Sequence, residues 1–329
     1  MTSLEIAPKT NMAKVLFQRF VQSPVGGSAA ALLLLIVAFA LASDRFLVPY
    51  NLSLILQQSM VVGVLAIAQT IIILTAGIDL SIGATCVLGT IVIAQLVPDA
   101  GPYLALLGAL AVCMMVGAAN GFLVANIDLP PFIVTLGMFT IVSASTQLLA
   151  GSSTYPVSDP VLRILGQKVG LGQVKTTIGV FVLLALYLLA WYILGKTAGG
   201  KHLYAVGGSP VAASLSGIKT KRVLFLTYLI SGVIAAIAAW VAVGRIPNAD
   251  PNALQTANLD TITAVVIGGT SLFGGRGSVL GTLIGVLIVG VLRNGLTLIG
   301  VDNLYQNIAT GCLVILAVAF DQFTRRRSR

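Results

Sequence analysis

Charge is scarce in this sequence. Asp, Glu, Lys and Arg together make up 9% of the 329 residues, where a soluble domain carries roughly 25%. A chain of this length would ordinarily form about two soluble domains of roughly 150 residues each, and the shortage of charge excludes a soluble enzyme of that size. Cysteine is nearly absent: Cys86, Cys113 and Cys312 are the only three and all lie in apolar runs. They exclude a disulfide scaffold and read as packing thiols. The single histidine, His202, sits in a basic loop, and no Cys or carboxylate cluster has metal-ligand spacing. No catalytic constellation emerges, so the reading is of a chain that is not an enzyme, with neither a cofactor nor a metal of its own. The glycine-rich run 268–278 lacks the Gly-Lys-Ser/Thr order of a phosphate-binding loop and reads as a tight turn between helices.

What is abundant is apolar surface. Apolar residues are 57% of the chain and mean hydropathy is +1.01. A membrane span needs about 20 mostly apolar residues to cross a hydrocarbon core of roughly 30 Å. Candidate spans fall at 28–47, 51–76, 82–98, 102–125, 131–149, 176–195, 223–243, 261–273, 278–298 and 306–320. The fold class is therefore all-α, a polytopic membrane bundle of about ten helices. The stretches 82–98 and 261–273 are short enough to be tilted, re-entrant or broken. Residues 1–27 read as a cytoplasmic N-terminal segment without a cleavable signal, 28–320 as the transmembrane domain, and 321–329 as a basic cytoplasmic tail.

The net charge of +9 does not point to nucleic acid, because the Lys and Arg residues are strung between apolar runs rather than clustered on one solvated face. They report orientation instead. With the N-terminus inside, Lys9, Lys14, Arg19, Lys196, Lys201, Lys219, Lys221, Arg222, Arg276, Arg325, Arg326, Arg327 and Arg329 fall in interior segments. The exterior loops hold only Arg45, Arg163, Lys168, Lys175 and Arg245. That asymmetry predicts both termini in the cytoplasm. It also predicts the longest exterior loop at about 150–175 and the longest interior loop at 196–222.

Ionisable groups inside apolar segments are costly and face protein or a water-filled cavity. Asp79 stands in Ala76-Gly77-Ile78-Asp79-Leu80-Ser81, a glycine-marked break between two apolar runs. Two readings stand side by side, a cap for the helix that follows and a group on a translocation path. Asp260 opens the apolar run at Asn258-Leu259-Asp260-Thr261 in the same way. Each Asp is followed by an Asn-Gly pair, at Asn120-Gly121 and Asn294-Gly295, and with the two Asp residues on opposite sides the pattern is that of an inverted internal repeat. Gly117 and Gly121, and Gly281 and Gly285, place small residues on one helix face for close packing. Arg293, late in its span, has two readings, snorkelling toward the exterior interface and lining a polar path.

Within the interior loop, Ser209 is placed as N-cap, Pro210 at the first helical position and Gly217 at the C-terminal stop of a helix of about two turns. Its small residues Ala212, Ala213, Ser214 and Ser216 leave room for a close-fitting partner groove.

These features together resemble the inner-membrane permease subunits of bacterial ABC importers for monosaccharides, the ribose, xylose, galactose and fructose group. The resemblance rests on 73–83 (Ile-Leu-Thr-Ala-Gly-Ile-Asp-Leu-Ser-Ile-Gly), on 131–137, on Tyr204-Ala205-Val206-Gly207-Gly208 through Ser216-Gly217-Ile218, and on Leu259-Asp260 through Gly268-Gly269-Thr270-Ser271-Leu272. It implies a permease that dimerises, most simply as a homodimer. Sugar would arrive from a periplasmic binding protein, and a cytoplasmic ATP-binding subunit carrying ATP and Mg would drive transport. The segment 207–218 would be the coupling helix, with Gly207, Gly208, Ser209, Ala212, Ala213, Leu215, Ser216 and Gly217 at the ATPase contact. Two positions depart from the family pattern, Ser209 where Asn is common and Asn258 where Glu is common. The run 256–263 is most similar to fructose-type relatives.

A neutral polyol calls for hydrogen-bonding side chains rather than a fixed counter-charge. The candidates to line its path are Gln57, Gln58, Gln69, Asp79, Ser81, Asn120, Asp260 and Thr263, although each is also able to tie helices together. The competing reading is a stand-alone, ion-coupled carrier, which needs a paired carboxylate or basic residue deep in the bundle. An intramembrane enzyme would need clustered catalytic groups.

Overall fold

Twelve α-helices account for most of the computed structural model, which describes residues 24–171 and 174–327. They are α1 (Pro24–Ala42), α2 (Pro49–Leu74), α3 (Ile82–Ala125), α4 (Pro131–Ala150), α5 (Pro160–Arg163), α6 (Ile178–Lys196), α7 (Ala198–Gly208), α8 (Pro210–Leu215), α9 (Thr220–Arg245), α10 (Ala257–Ile267), α11 (Val279–Leu298) and α12 (Asn303–Arg327). Seven of them, α1, α2, α3, α4, α6, α9 and α11, are long and apolar enough to cross a membrane. Most of the expected N-terminal segment, residues 1–23, lies outside the described residues, as do Ser328 and Arg329. The expected basic tail is helical as far as Arg327, a continuation of α12.

The 44 residues of α3 are two helices in series. Gly101 has φ +78°, which breaks the helix between Pro98 and Pro102. The chain doubles back there, because Cys113 reaches the Thr85 carbonyl (3.4 Å) and Asn120 reaches Ser81 (2.9 Å). The two antiparallel limbs are the expected spans 82–98 and 102–125. Each remaining expected span overlaps a helix, although α1 stops at Ala42, short of the expected 47, and α10 has only 11 residues, about 16 Å at 1.5 Å per residue. It ends at Gly268-Gly269, so the second half of the expected span 261–273 is the turn and not the membrane helix.

Glycines set how closely the helices pack. A methyl group at Gly117 would overlap the Tyr228 carbonyl oxygen, and one at Gly121 would press on Phe225 of α9. Gly281 and Gly285 are held in the same way against the Gly268 and Ala264 carbonyls of α10. Both spaced glycine pairs are therefore contact faces, as read from sequence. The largest buried cluster joins α2, α3, α6 and α9 through Met60, Leu65, Ile91, Leu183 and Ala235. Cys86 and Cys113 are buried, in keeping with packing thiols, whereas Cys312 is exposed on α12.

Residues 150–171 and 174–177 form a folded cap at one end of the bundle. Its strand β1 (Tyr155–Pro156) pairs antiparallel with β4 (Asn248–Ala249) just beyond α9, and β2 (Lys168–Leu171) forms a hairpin with β3 (Val174–Thr177). Leu162 and Leu165 bury their side chains under it.

Candidate functional site

At the end of α2 the chain leaves the helix through Ala76, whose φ is +61°. Gly77 follows because any side chain there would press on the Tyr228 hydroxyl. The unwound stretch delivers Asp79 against α9. One carboxylate oxygen, Oδ1, accepts the Ser81 backbone N–H (2.8 Å) and the Ser81 hydroxyl (2.6 Å), while Oδ2 accepts the Ser231 hydroxyl (3.4 Å). Asn120 then donates its amide to the Ser81 oxygen (2.9 Å). Three of the candidates, Asp79, Ser81 and Asn120, thus form one hydrogen-bonded chain at the start of α3. All three are buried. The void beside them, lined by Asp79, Thr85, Asn120 and Ser231, is about 10 Å³, room for no more than about one water. In this conformation Asp79 organises the helix start within packed protein, beside a void too small for a sugar.

The second half of the chain docks onto the same place. Asn258 accepts the Gly83 N–H at 2.6 Å, tying α10 to the first turn of α3. Two residues further on, Asp260 accepts Arg293 Nη2 at 2.7 Å through Oδ1 and the Thr256 hydroxyl at 3.1 Å through Oδ2. Arg293 also donates to Thr256 (3.0 Å). The snorkelling reading is therefore corrected: Arg293 turns onto the Asp260 carboxylate, because a buried carboxylate without a counter-charge costs more than the side chain gains from water. One residue along, Asn294 and Asn51 exchange amide hydrogen bonds of 2.9 Å each way and fasten α11 to α2.

The remaining candidates are dispersed. Thr263 donates to Leu259 within its own helix. Gln57 donates to Ser53 (2.9 Å), which in turn bonds the Lys175 carbonyl near the cap, and Gln58 is half-buried beside it. They sit near the opposite end of α2 from the Asp79 break, about 25 Å away along the axis. Gln69 is wholly buried, and neither its amide nitrogen nor its oxygen has a partner. Sequence reasoning missed Ser231 and Tyr228, which stand in an otherwise apolar helix. The Ser231-Gly232 pair was the only signal that this face of α9 meets something polar.

The other candidate set lies on the interior loop. Ser209 caps α8 by accepting the Ala212 N–H (3.3 Å), Pro210 opens it, and Gly217 closes it with φ +84°. Ala213 is buried, but Val211 and Leu215 are 71% and 86% exposed. Two apolar side chains on a short capped helix thus stand free of the fold. The base of this helix is wedged into the bundle. A side chain on Gly207 would overlap the Leu74 carbonyl, that same carbonyl accepts the Gly275 N–H (3.0 Å), and Tyr204 donates its hydroxyl to Gly277 (3.0 Å). Burial pushes the Tyr204 phenol up from its usual range, keeping it a donor. The end of α7, the glycine turn and the last residue of α2 therefore meet at one junction, directly before the Asp79 break.

A profile described as "Branched-chain amino acid transport system / permease component" matches residues 51–318, the whole of this arrangement from α2 through most of α12. The chain belongs to this permease family. Among its relatives, the fructose import permease protein of Rhizobium meliloti is 44% identical over 98% of this chain and 92% of its own length. The ribose import permease protein of Escherichia coli K12 is 38% identical over 89% and 92%, and the galactose/methyl galactoside import permease protein of the same strain is 34% identical over 92% and 96%. No solved structure matches the chain. As a member of the family, the chain is a multi-pass inner-membrane transport component, and its seven long apolar helices accord with that.

Proposed function

We propose that this permease carries a monosaccharide inward, a fructose-type sugar first among the candidates, as the membrane subunit of an ATP-driven importer. The observation that carries this reading is the junction of Gly207, Leu74 and Gly275. It connects an exposed, capped helix of the interior loop to the helix break that bears Asp79. In the proposed cycle a cytoplasmic ATP-binding subunit, holding ATP and Mg, grips α8 through Val211 and Leu215. Its closure displaces α8, the displacement passes through Gly207 to the end of α2, and the hydrogen-bonded chain of Asp79, Ser81, Asn120 and Ser231 is re-formed in a second arrangement. A periplasmic binding protein supplies the sugar at the capped face, and a second copy of the chain completes the path as a homodimer. The termini and the loop 196–222 are cytoplasmic.

The sugar assignment follows the relatives rather than the branched-chain amino acid description of the family, and the site's chemistry agrees with them. Amino acid recognition needs a free charge of each sign. Here Asp260 and Arg293 already neutralise one another, and Asp79 is held by the Ser81 and Ser231 hydroxyls with no basic side chain bonded to it among the described residues, so the site offers no pair of free opposite charges. An ion-coupled carrier would also exploit a carboxylate and base, but this pair sits five residues from the end of α11 with Arg293 one-third exposed.

The test is uptake of labelled fructose, ribose, xylose, galactose, a polyol and leucine in cells with and without the cognate ATPase. Saturable, ATPase-dependent uptake of one sugar, uncompeted by leucine, is expected. Leucine uptake, or sugar uptake that survives loss of the ATPase, would overturn the proposal.

A further inference from the structure

Between the folded cap and the end of α9 lies an open cavity of about 350 Å³. Two arginines, Arg163 of the cap and Arg245 of α9, line it together, with Ser158 and Gln167 beside them. Its frame is fixed. Gly166 is pressed against the Gly244 carbonyl, Val157 donates to Pro247 (3.0 Å), and β1 and β4 are paired above.

Neither arginine has an anionic partner among the described residues. Among the described residues the ion pairs are Lys221 with Asp128 and Arg293 with Asp260. The acid next to the cavity, Asp159, uses Oδ1 to accept the Val161 and Leu162 N–H groups at the start of α5. Arg245 is partly buried, and a partly desolvated guanidinium without a counter-ion is costly. The site therefore has a charge to satisfy and room for the group that satisfies it.

Depth identifies the group. Helix α9 has 26 residues, about 39 Å at 1.5 Å per residue, more than the roughly 30 Å hydrocarbon core. With its first turn at one interface, such a helix would carry its last residue, Arg245, to headgroup level at the other. Guanidinium groups bind phosphate oxygens in bidentate fashion. A zwitterionic headgroup would bring its own ammonium into a field already doubly positive, whereas a net-anionic one would not.

We infer that the Arg163 and Arg245 cavity binds the phosphate of an anionic phospholipid headgroup, with Ser158 and Gln167 placed to meet the headgroup's hydroxyls. The inference requires that α9 span the membrane and is independent of which solute the permease carries.

The test uses the full-length permease, purified and delipidated, titrated in mixed micelles with phosphatidylglycerol or phosphatidylcholine, and separately with inorganic phosphate. Bound lipid is counted by native mass spectrometry and stability is followed by the thermal midpoint. Phosphatidylglycerol is expected to bind and raise the midpoint while phosphatidylcholine and millimolar phosphate do not. The variant Arg163→Gln/Arg245→Gln should bind phosphatidylglycerol on the order of tenfold more weakly, and Lys168→Gln should bind as the parent does. If the double variant does not fold, Arg163→Gln alone, at an exposed position, carries the comparison. Unchanged phosphatidylglycerol affinity in the variants overturns the inference. So does an equal response to inorganic phosphate, which would make this a site for a free oxyanion. Unaltered lipid binding combined with a raised requirement for the binding protein in uptake would assign the arginines to protein docking instead.

Discussion

At the scale of single residues, the two most informative polar groups are opposites. Asp79 accepts from Ser81 and Ser231, so Asp79→Ala strands buried donors. Each stranded group costs about 1–3 kcal/mol. We expect a lower thermal midpoint in detergent together with impaired uptake at matched expression. Wild-type uptake would remove Asp79 from the mechanism. Gln69 is buried with its amide unpaired, and here the sign reverses. Replacing an unsatisfied amide by an apolar group of similar shape is neutral or stabilising. Gln69→Met should therefore keep or raise the midpoint, and a purely structural Gln69 would leave uptake untouched. If the amide meets the sugar once the bundle opens, uptake falls several-fold while stability does not. The divergence of the two readouts is the prediction. The capping of the helix start by Asp79 was legible in the sequence, but its tie to α9 and the isolation of Gln69 were not. The difference is made by Ser231, 152 positions away, and long-range pairings of this kind leave no periodicity to read.

Among the elements, the sequence announces existence and type better than linkage. Apolar length located the long helices, the gap between the expected spans 82–98 and 102–125 fell at the break of α3, and the cap, proline and glycine of α8 were legible to the residue because they act locally. What local signals do not encode is that Gly207 at the end of α7 lies on Leu74 at the end of α2. That contact makes a prediction about elements. Gly207→Ala forces α7 and α2 apart, since the added methyl overlaps the Leu74 carbonyl. In vesicles containing the complete complex, we expect ATP hydrolysis to persist while sugar transported per ATP drops at least several-fold. Tyr204→Phe, which removes only the hydroxyl bond to Gly277, should produce the same uncoupling more weakly. A proportional loss of both activities would indicate damaged assembly and deny the junction a role in transmission.

For the whole molecule, the charge asymmetry becomes a statement about geometry. The sequence alone places Lys196, Lys201, Lys219, Lys221, Arg222 and Arg276 on one side. The fold brings their segments together at one end of the bundle by contacts that know nothing of the membrane. Tyr204 reaches Gly277, Gly207 reaches Leu74, and Lys221 pairs with Asp128 beyond the end of α3. The cap occupies the other end, where β1 pairs with β4 and Ser53 reaches the Lys175 carbonyl. Two independent arguments, electrostatic and topological, thus sort the same segments into the same two groups, and a labelling experiment decides which group faces the cytoplasm. In a background carrying Cys312→Ser, which removes the exposed thiol, Lys168→Cys on the cap should react with a membrane-impermeant maleimide in intact spheroplasts. Ser216→Cys, beside α8, should react only after lysis. The reverse pattern would put α8 on the face opposite any cytoplasmic ATPase, and the route from that subunit through Gly207 to Asp79 would have no driving partner.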